Sequence, residues 1–279
     1  MVMKSGKAHV LAILTALFLI LPAAPVLSSD SILIMATTTS TDNTGLLDYL
    51  APEFKKSTGI RLRWVAVGTG KALALGRNCD VSILFVHAPG AEKEFIEKGY
   101  GVSRRKVMYN RFILVGPKHD PAGIENMDAL SAFKAISKKK AVFVSRGDNS
   151  GTHKKELSIW KAAALEVPEK EDWYIQAGQG MLASLNLAAE RSGYTLVDGG
   201  TYIKYQSNLK GEPPLVILSD QGSSLLNQYS VIAINPDRCE NVQHEAALTF
   251  IRWVASAEAQ AVISNFRLLG QRLFTPNAD

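Results

Sequence analysis

A chain of 279 residues, 47% hydrophobic and 20% charged, has ample apolar content for a sizeable core, in one large domain or two linked lobes. Its net charge of +5 falls to +3 once Lys4 and Lys7 are set aside with an N-terminal leader, an excess too mild for the concentrated basic face of a nucleic-acid binder. No Cys/His cluster has zinc spacing, and His153 with Glu156 lacks a further nearby ligand, so no metal and no cofactor are expected.

Lys4 and Lys7 precede an apolar run at 10–21, free of charged residues, which is followed by Pro22, Ala23, Ala24, Pro25 and the Ser28-Ser29 pair. A charged start, an apolar middle and a small-residue end are the layout of a secretory signal peptide. The run is short for a membrane span, which needs roughly 20 residues. The sequence therefore predicts a leader at 1–29 and a mature, soluble chain starting near Asp30. Without a cysteine near the cleavage region no lipid anchor is expected, and the location is periplasmic. Cys79 and Cys239 both fall in the exported part; an oxidising compartment permits a bridge between them, and the sequence leaves the pairing open.

The mature chain opens with an apolar strand at 32–35, a hydroxyl-rich turn at 36–45 that includes Thr37 and Thr38, and a helix from Leu46 ending near Gly59. A strand at 60–67 then meets Gly68-Thr69-Gly70-Lys71 and a helical run. The glycines allow a close backbone approach and Thr69 adds a hydroxyl, but the spacing is not that of a phosphate-binding P-loop. A strand at 80–86 leads to His87, read as a packed or capping side chain in preference to a ligand, and a helix at 91–98 follows. Residues 111–117 read as a strand that crosses from a first lobe to a second, with no Gly/Ser-rich tether, so the lobes should share a hinge.

The stretch at 144–157, V-S-R-G-D-N-S-G-T-H-K-K-E-L, is the centre of the reading. A strand at 141–144 enters a turn of small polar residues, and a helix follows at 153–165. Unpaired backbone N–H groups and the helix dipole at such an N-terminus favour an anion. Arg146, Ser150 and Thr152 add donors. A strand at 173–175 then runs into Gln176-Ala177-Gly178-Gln179-Gly180 and a helix at 182–190, the fourth turn of this kind. Strands at 193–196, 215–218 and 229–234 and helices at 198–205, 240–255 and 257–266 complete the chain. Alternating strands and helices imply an α/β architecture with mainly parallel sheets, whose ligands bind beyond the carboxyl ends of the strands. Ser150 also admits a secreted serine hydrolase with His153 or His87 as base, although the turn lacks the G-x-S-x-G elbow.

The segments A-T-T-T-S-T-D-N-T-G-L-L, A-V-G-T-G-K-A-L, S-R-G-D-N-S-G-T-H-K-K-E-L and G-Q-G-M occur in that order, and with them the chain resembles the Tup-type tungstate-binding proteins of bacterial ABC importers. The resemblance extends over nearly all of the mature chain, with Asn149 standing where Asp is common. It implies a class II periplasmic binding-protein fold, two lobes joined by a hinge of crossing strands. The first lobe would comprise 30–112, the second 113–235, and the chain would return to the first at 236–279. It also implies a monomeric receptor, not an enzyme, that hands tungstate to a membrane permease, with molybdate or another oxyanion as the alternative cargo. Thr37, Thr38 and Thr69 would bind the anion from the first lobe, and Arg146, Ser150, Gly151 and Thr152 from the second.

Overall fold

The computed structural model describes residues 1–2, 31–209 and 211–278, so the expected leader lies, apart from its first two residues, outside the described residues. The first half of the chain runs β1 (Ile32–Thr38), α1 (Thr39–Asp42), α2 (Leu46–Thr58), β2 (Arg61–Val67), α3 (Thr69–Arg77), β3 (Ile83–Val86), α4 (Pro89–Glu97) and β4 (Gly101–Pro117). Then come α5 (Ala129–Lys139), β5 (Phe143–Ser145), α6 (Gly151–Ala162), β6 (Tyr174–Gln176), α7 (Met181–Glu190), β7 (Thr195–Asp198), α8 (Gly199–Asn208) and β8 (Leu215–Ser219). The chain closes with β9 (Leu226–Ile234), α9 (His244–Val254), α10 (Ala257–Asn265), β10 (Arg267–Leu268), β11 (Gln271–Arg272) and β12 (Thr275–Pro276).

The strand β4 organises the molecule. Its first part, from Gly101 to Arg111, pairs antiparallel with β9, and its last part, from Phe112 to Pro117, pairs with β7 and β8. A single strand thus belongs to both lobes. β9 starts at Leu226, opposite Arg111, and pairs with β3 on its other side, which makes it the returning strand of the first lobe. Residues 226–234 are thereby held between β3 and the first part of β4.

Among the described residues β1, β2 and β3 are mutually parallel where they pair, whereas β4, β7, β8, β9 and β12 join antiparallel. The expected mainly parallel sheet is therefore a mixed one. The reason is the double crossing: a chain that leaves along β4 and comes back along β9 lays those strands side by side in opposite directions. In the second lobe β5 and β6 pair in parallel, joined to the rest by a bridge from Phe143 to Tyr194.

Each lobe has its own apolar centre. Leu33, Met35 and Phe54 pack with Val231, Phe250 and Phe274 in the first, and Phe133, Phe143, Trp160 and Tyr194 pack together in the second. The amphipathic helix α2 supplies Leu46, Leu47, Leu50 and Phe54 to that first core and ends at Gly59, whose φ of 74° closes the helix in the left-handed conformation glycine tolerates. Cys79 and Cys239, 160 residues apart, form a disulfide that ties the end of α3 to the segment before α9.

Candidate functional site

Register brings the four turns together in pairs. Thr38, at the end of β1, stands opposite Val67 at the end of β2, so the α1 and α3 turns are neighbours. Ser145 stands opposite Gln176, so the turns after β5 and β6 are neighbours as well. One place where the two sets of turns approach each other is at Gly151, the first residue of α6: a Cβ there would lie 3.9 Å from Cε1 of His87, which directly follows β3.

On the second-lobe side Ser150 is the N-cap of α6, and its hydroxyl accepts from the His153 N–H at 3.3 Å. Asp148 accepts from the Ser150 N–H at 3.1 Å and pairs with the Arg146 guanidinium. Burial opposes the charge on Asp148, yet the hydrogen bonds from Ser150 and the field of Arg146 hold its carboxyl below the ordinary range. This clamp restrains Arg146, whose Nε is buried without a hydrogen-bond partner. Asn149 has φ 60°, a left-handed position that Asn tolerates, and its N–H donates to His153 Nδ1 at 3.0 Å. Asn149, the residue in which the turn departs from the pattern it resembles, thus supports the turn. Gly151 is exposed and Thr152 is buried directly behind it in the first turn of α6.

On the first-lobe side the predicted residues divide. Thr37 is fully buried and donates its hydroxyl to the Phe85 carbonyl at 2.8 Å, so it joins β1 to β3. Thr38 caps α1, accepting from the Thr41 N–H at 3.2 Å, and its Oγ1 lies 3.0 Å from both Ser40 Oγ and His87 Nε2. Thr69 is half-buried at the start of α3 between exposed Gly68 and Gly70.

Three residues outside the sequence-predicted set enter this cluster: Ser40, His87 and Asn227. Ser40 Oγ is 3.0 Å from His87 Nε2, and Asn227 Oδ1 is 2.9 Å from His87 Nδ1. Burial pushes the imidazole below its ordinary value, against smaller opposing contributions from Asn227 and Asp198. The available signal was position, since His87 follows β3 as Thr38 ends β1, at the carboxyl edge of neighbouring parallel strands.

Nothing here forms a hydrolytic triad. Ser150 is engaged as a helix cap and His153 Nδ1 accepts a backbone N–H, so neither is arranged as nucleophile and base. Among the described residues no group of three or more His, Cys, Asp or Glu is placed to hold a metal ion.

The PBP superfamily domain matches residues 23–258 of the chain. The tungstate-binding protein TupA of Campylobacter jejuni is 50% identical over 239 residues, which cover 86% of this chain and 88% of that protein. This chain belongs to the TupA family. A second TupA, from Peptoclostridium acidaminophilum, is 47% identical over 88% of this chain and 86% of its own length. The TupA structure from Desulfovibrio alaskensis G20 is 57% identical and superposes with a TM-score of 0.87, covering 89% of this chain and all of that one. Membership of the TupA family makes the architecture that of a two-lobed periplasmic binding protein. Among the described residues no helix is long and apolar enough to cross a membrane.

Proposed function

We propose that this chain is an exported, monomeric periplasmic receptor, free of a lipid anchor, that captures tungstate between its lobes and delivers it to the permease of an ABC importer. The proposed lobes are 31–111 with 226–278, and 112–225. Thr38 and Thr69 act from the first lobe, with Thr37 bracing the strand end behind them. Arg146, Ser150, Gly151 and Thr152 act from the second.

The observation that carries this reading is the Arg146 side chain, which holds a buried Nε–H without a partner in a turn that opens the α6 N-terminus. A buried donor left unpaired costs about 1–3 kcal/mol, which an oxyanion would recover. A charge-assisted bond to an anion is also roughly twice as strong as a neutral one. Backbone N–H groups of α6 and α3, with the positive ends of their dipoles, supply neutral donors for the other oxygens. Donors spaced for a large tetrahedral anion stay partly unpaired around sulfate or phosphate, which disfavours the smaller ions.

Isothermal titration of the mature protein with tungstate, with competition by molybdate, sulfate and phosphate, tests the proposal. The expected result is one-to-one binding of tungstate that sulfate and phosphate do not displace, and its severe weakening in a folded Arg146→Ala variant. Unchanged affinity in that variant would remove Arg146 from the site.

A further inference from the structure

We infer that His87 belongs to the anion site and takes a proton from solvent onto Nε2 as the dianion enters, so that capture is coupled to proton uptake. This deepens the receptor reading and rests on it.

The hydrogen bonds determine the starting state. Asn227 Nδ2 donates to Asn110 Oδ1 at 2.8 Å and to the Tyr229 hydroxyl at 3.3 Å, which turns Asn227 Oδ1 toward His87 Nδ1. A carbonyl oxygen only accepts, so Nδ1 carries the proton and Nε2 of the neutral ring is bare. Nε2 faces both the Thr38 and the Ser40 hydroxyl at 3.0 Å. One of those two hydroxyl protons is therefore engaged by the ring, and is withheld from an anion.

Protonation reverses the arrangement. An Nε2–H donates to the hydroxyl oxygens and releases the Ser40 hydroxyl proton from the ring, while Thr38 Oγ1 keeps its contact with Thr41 Oγ1 at 2.6 Å, and the ring gains a positive charge. That charge lies against Gly151, the first residue of the helix whose preceding turn carries Arg146. A dianion then meets two cations in place of one.

The surroundings keep the ring neutral until the anion arrives. From β1 and α1 it meets Thr38 and Ser40, and from β9 Asn227 and the stacked Tyr229 ring at 4.7 Å, none of them charged. Burial raises the Tyr229 phenol well above its ordinary value, so it stays protonated. On α4 Glu92 is paired with Arg104. In the turn before α6 Arg146 and Asp148 pair with each other, and the α6 dipole presents its positive end, which opposes a proton on the ring. Asp198 contributes a favouring field that burial outweighs. A dianion in the cleft adds a much stronger field of the favouring sign.

Because the bound state holds the proton more tightly than the empty one, affinity is highest at low pH and falls as pH rises, by up to about tenfold per pH unit between the two titration points. The test is calorimetric titration of the exported protein with tungstate near neutral pH in buffers of different ionisation enthalpy. The parent and the variants His87→Gln and His153→Gln are compared, His153 being the other histidine at this site. The expected result is a buffer-dependent heat that reports net proton uptake in the parent and in His153→Gln, and no uptake in His87→Gln, whose affinity becomes independent of pH between about pH 6 and pH 8. Tungstate binding with no buffer dependence in the parent, or uptake that survives in His87→Gln, overturns the inference and leaves the receptor reading standing. No tungstate binding by the parent overturns both.

Discussion

Asn227 and Asn110 face each other across β9 and β4, joined by a 2.8 Å side-chain hydrogen bond one rung before β4 leaves β9 for β7. Both are buried, and through Asn227 the bond continues to His87 and the Thr38–Ser40 cluster. The hinge strands and the turn after β1, proposed to face the anion, are therefore linked by side chains as well as by the sheet.

Replacing Asn227 with Leu should leave the His87 Nδ1–H without its acceptor and Asn110 Oδ1 without the Asn227 donor, at about 1–3 kcal/mol for each buried group. The expected outcome is a lower urea midpoint and weaker anion binding. Asn227→Asp, which keeps an acceptor for His87 while losing the donor to Asn110, should bind the anion more tightly than Asn227→Leu. Equal affinities in the two variants would show that the contact to His87 does not shape the site.

Glu156 lies on α6 beneath the signature turn and accepts from the Tyr174 hydroxyl at 2.7 Å and Trp160 Nε1 at 3.1 Å. Burial raises its carboxyl above the ordinary 4.5, more than these hydrogen bonds lower it. The folded state thus binds this proton more tightly than the unfolded state. The group favours folding most below its ordinary value, and that contribution is lost as pH rises through the folded value. Glu156→Gln keeps an acceptor without the buried charge. Relative to it, the parent should lose thermal stability as pH rises above the ordinary 4.5; parallel melting curves on the alkaline side of that value would contradict the assignment.

What was legible in the sequence was local. The four strand-to-helix turns, the Gly59 stop and the donor-rich turn at 145–152 each depend on residues a few positions apart, and all appear where their chemistry places them. What was not legible depends on partners far along the chain. His87 takes its orientation from Asn227, 140 residues away, and Thr37 loses its hydroxyl to Phe85, 48 residues away. The polar, alternating stretch 101–110 does not announce a strand until β9 lies beside it, so only the last part of β4 was foreseen. The Cys79–Cys239 pairing was left open for the same reason.

That disulfide closes a loop of 160 residues. Restricting so long a loop in the unfolded chain stabilises by up to about 5 kcal/mol on chain-entropy grounds, with about 2–4 kcal/mol the usual measured range. Denaturant unfolding with and without reductant should differ by an amount in that range. Tungstate affinity should remain, because the bridge lies outside the strand ends that build the site. A bridge without effect on unfolding would mean that the reduced chain retains the same constraint.

Gly147 joins backbone conformation to the proposed anion site. Its φ is 60°, and a Cβ there would stand 2.9 Å from Cβ of Gln176 on the neighbouring strand. The residue before it is Arg146, whose carbonyl accepts from the Gly178 N–H at 2.9 Å. Gly147→Ala therefore adds left-handed strain of about 1–2 kcal/mol and separates the β5 and β6 turns. Gly59→Ala is the matched control, because φ is 74° there and nothing lies within 4 Å of the new Cβ. Both variants should lose stability, and Gly147→Ala should also lose at least about tenfold in tungstate affinity, equivalent to 1.4 kcal/mol. Titration of the two variants side by side separates strain from displacement. Equal affinities would mean that Arg146 keeps its place when the two turns are forced apart.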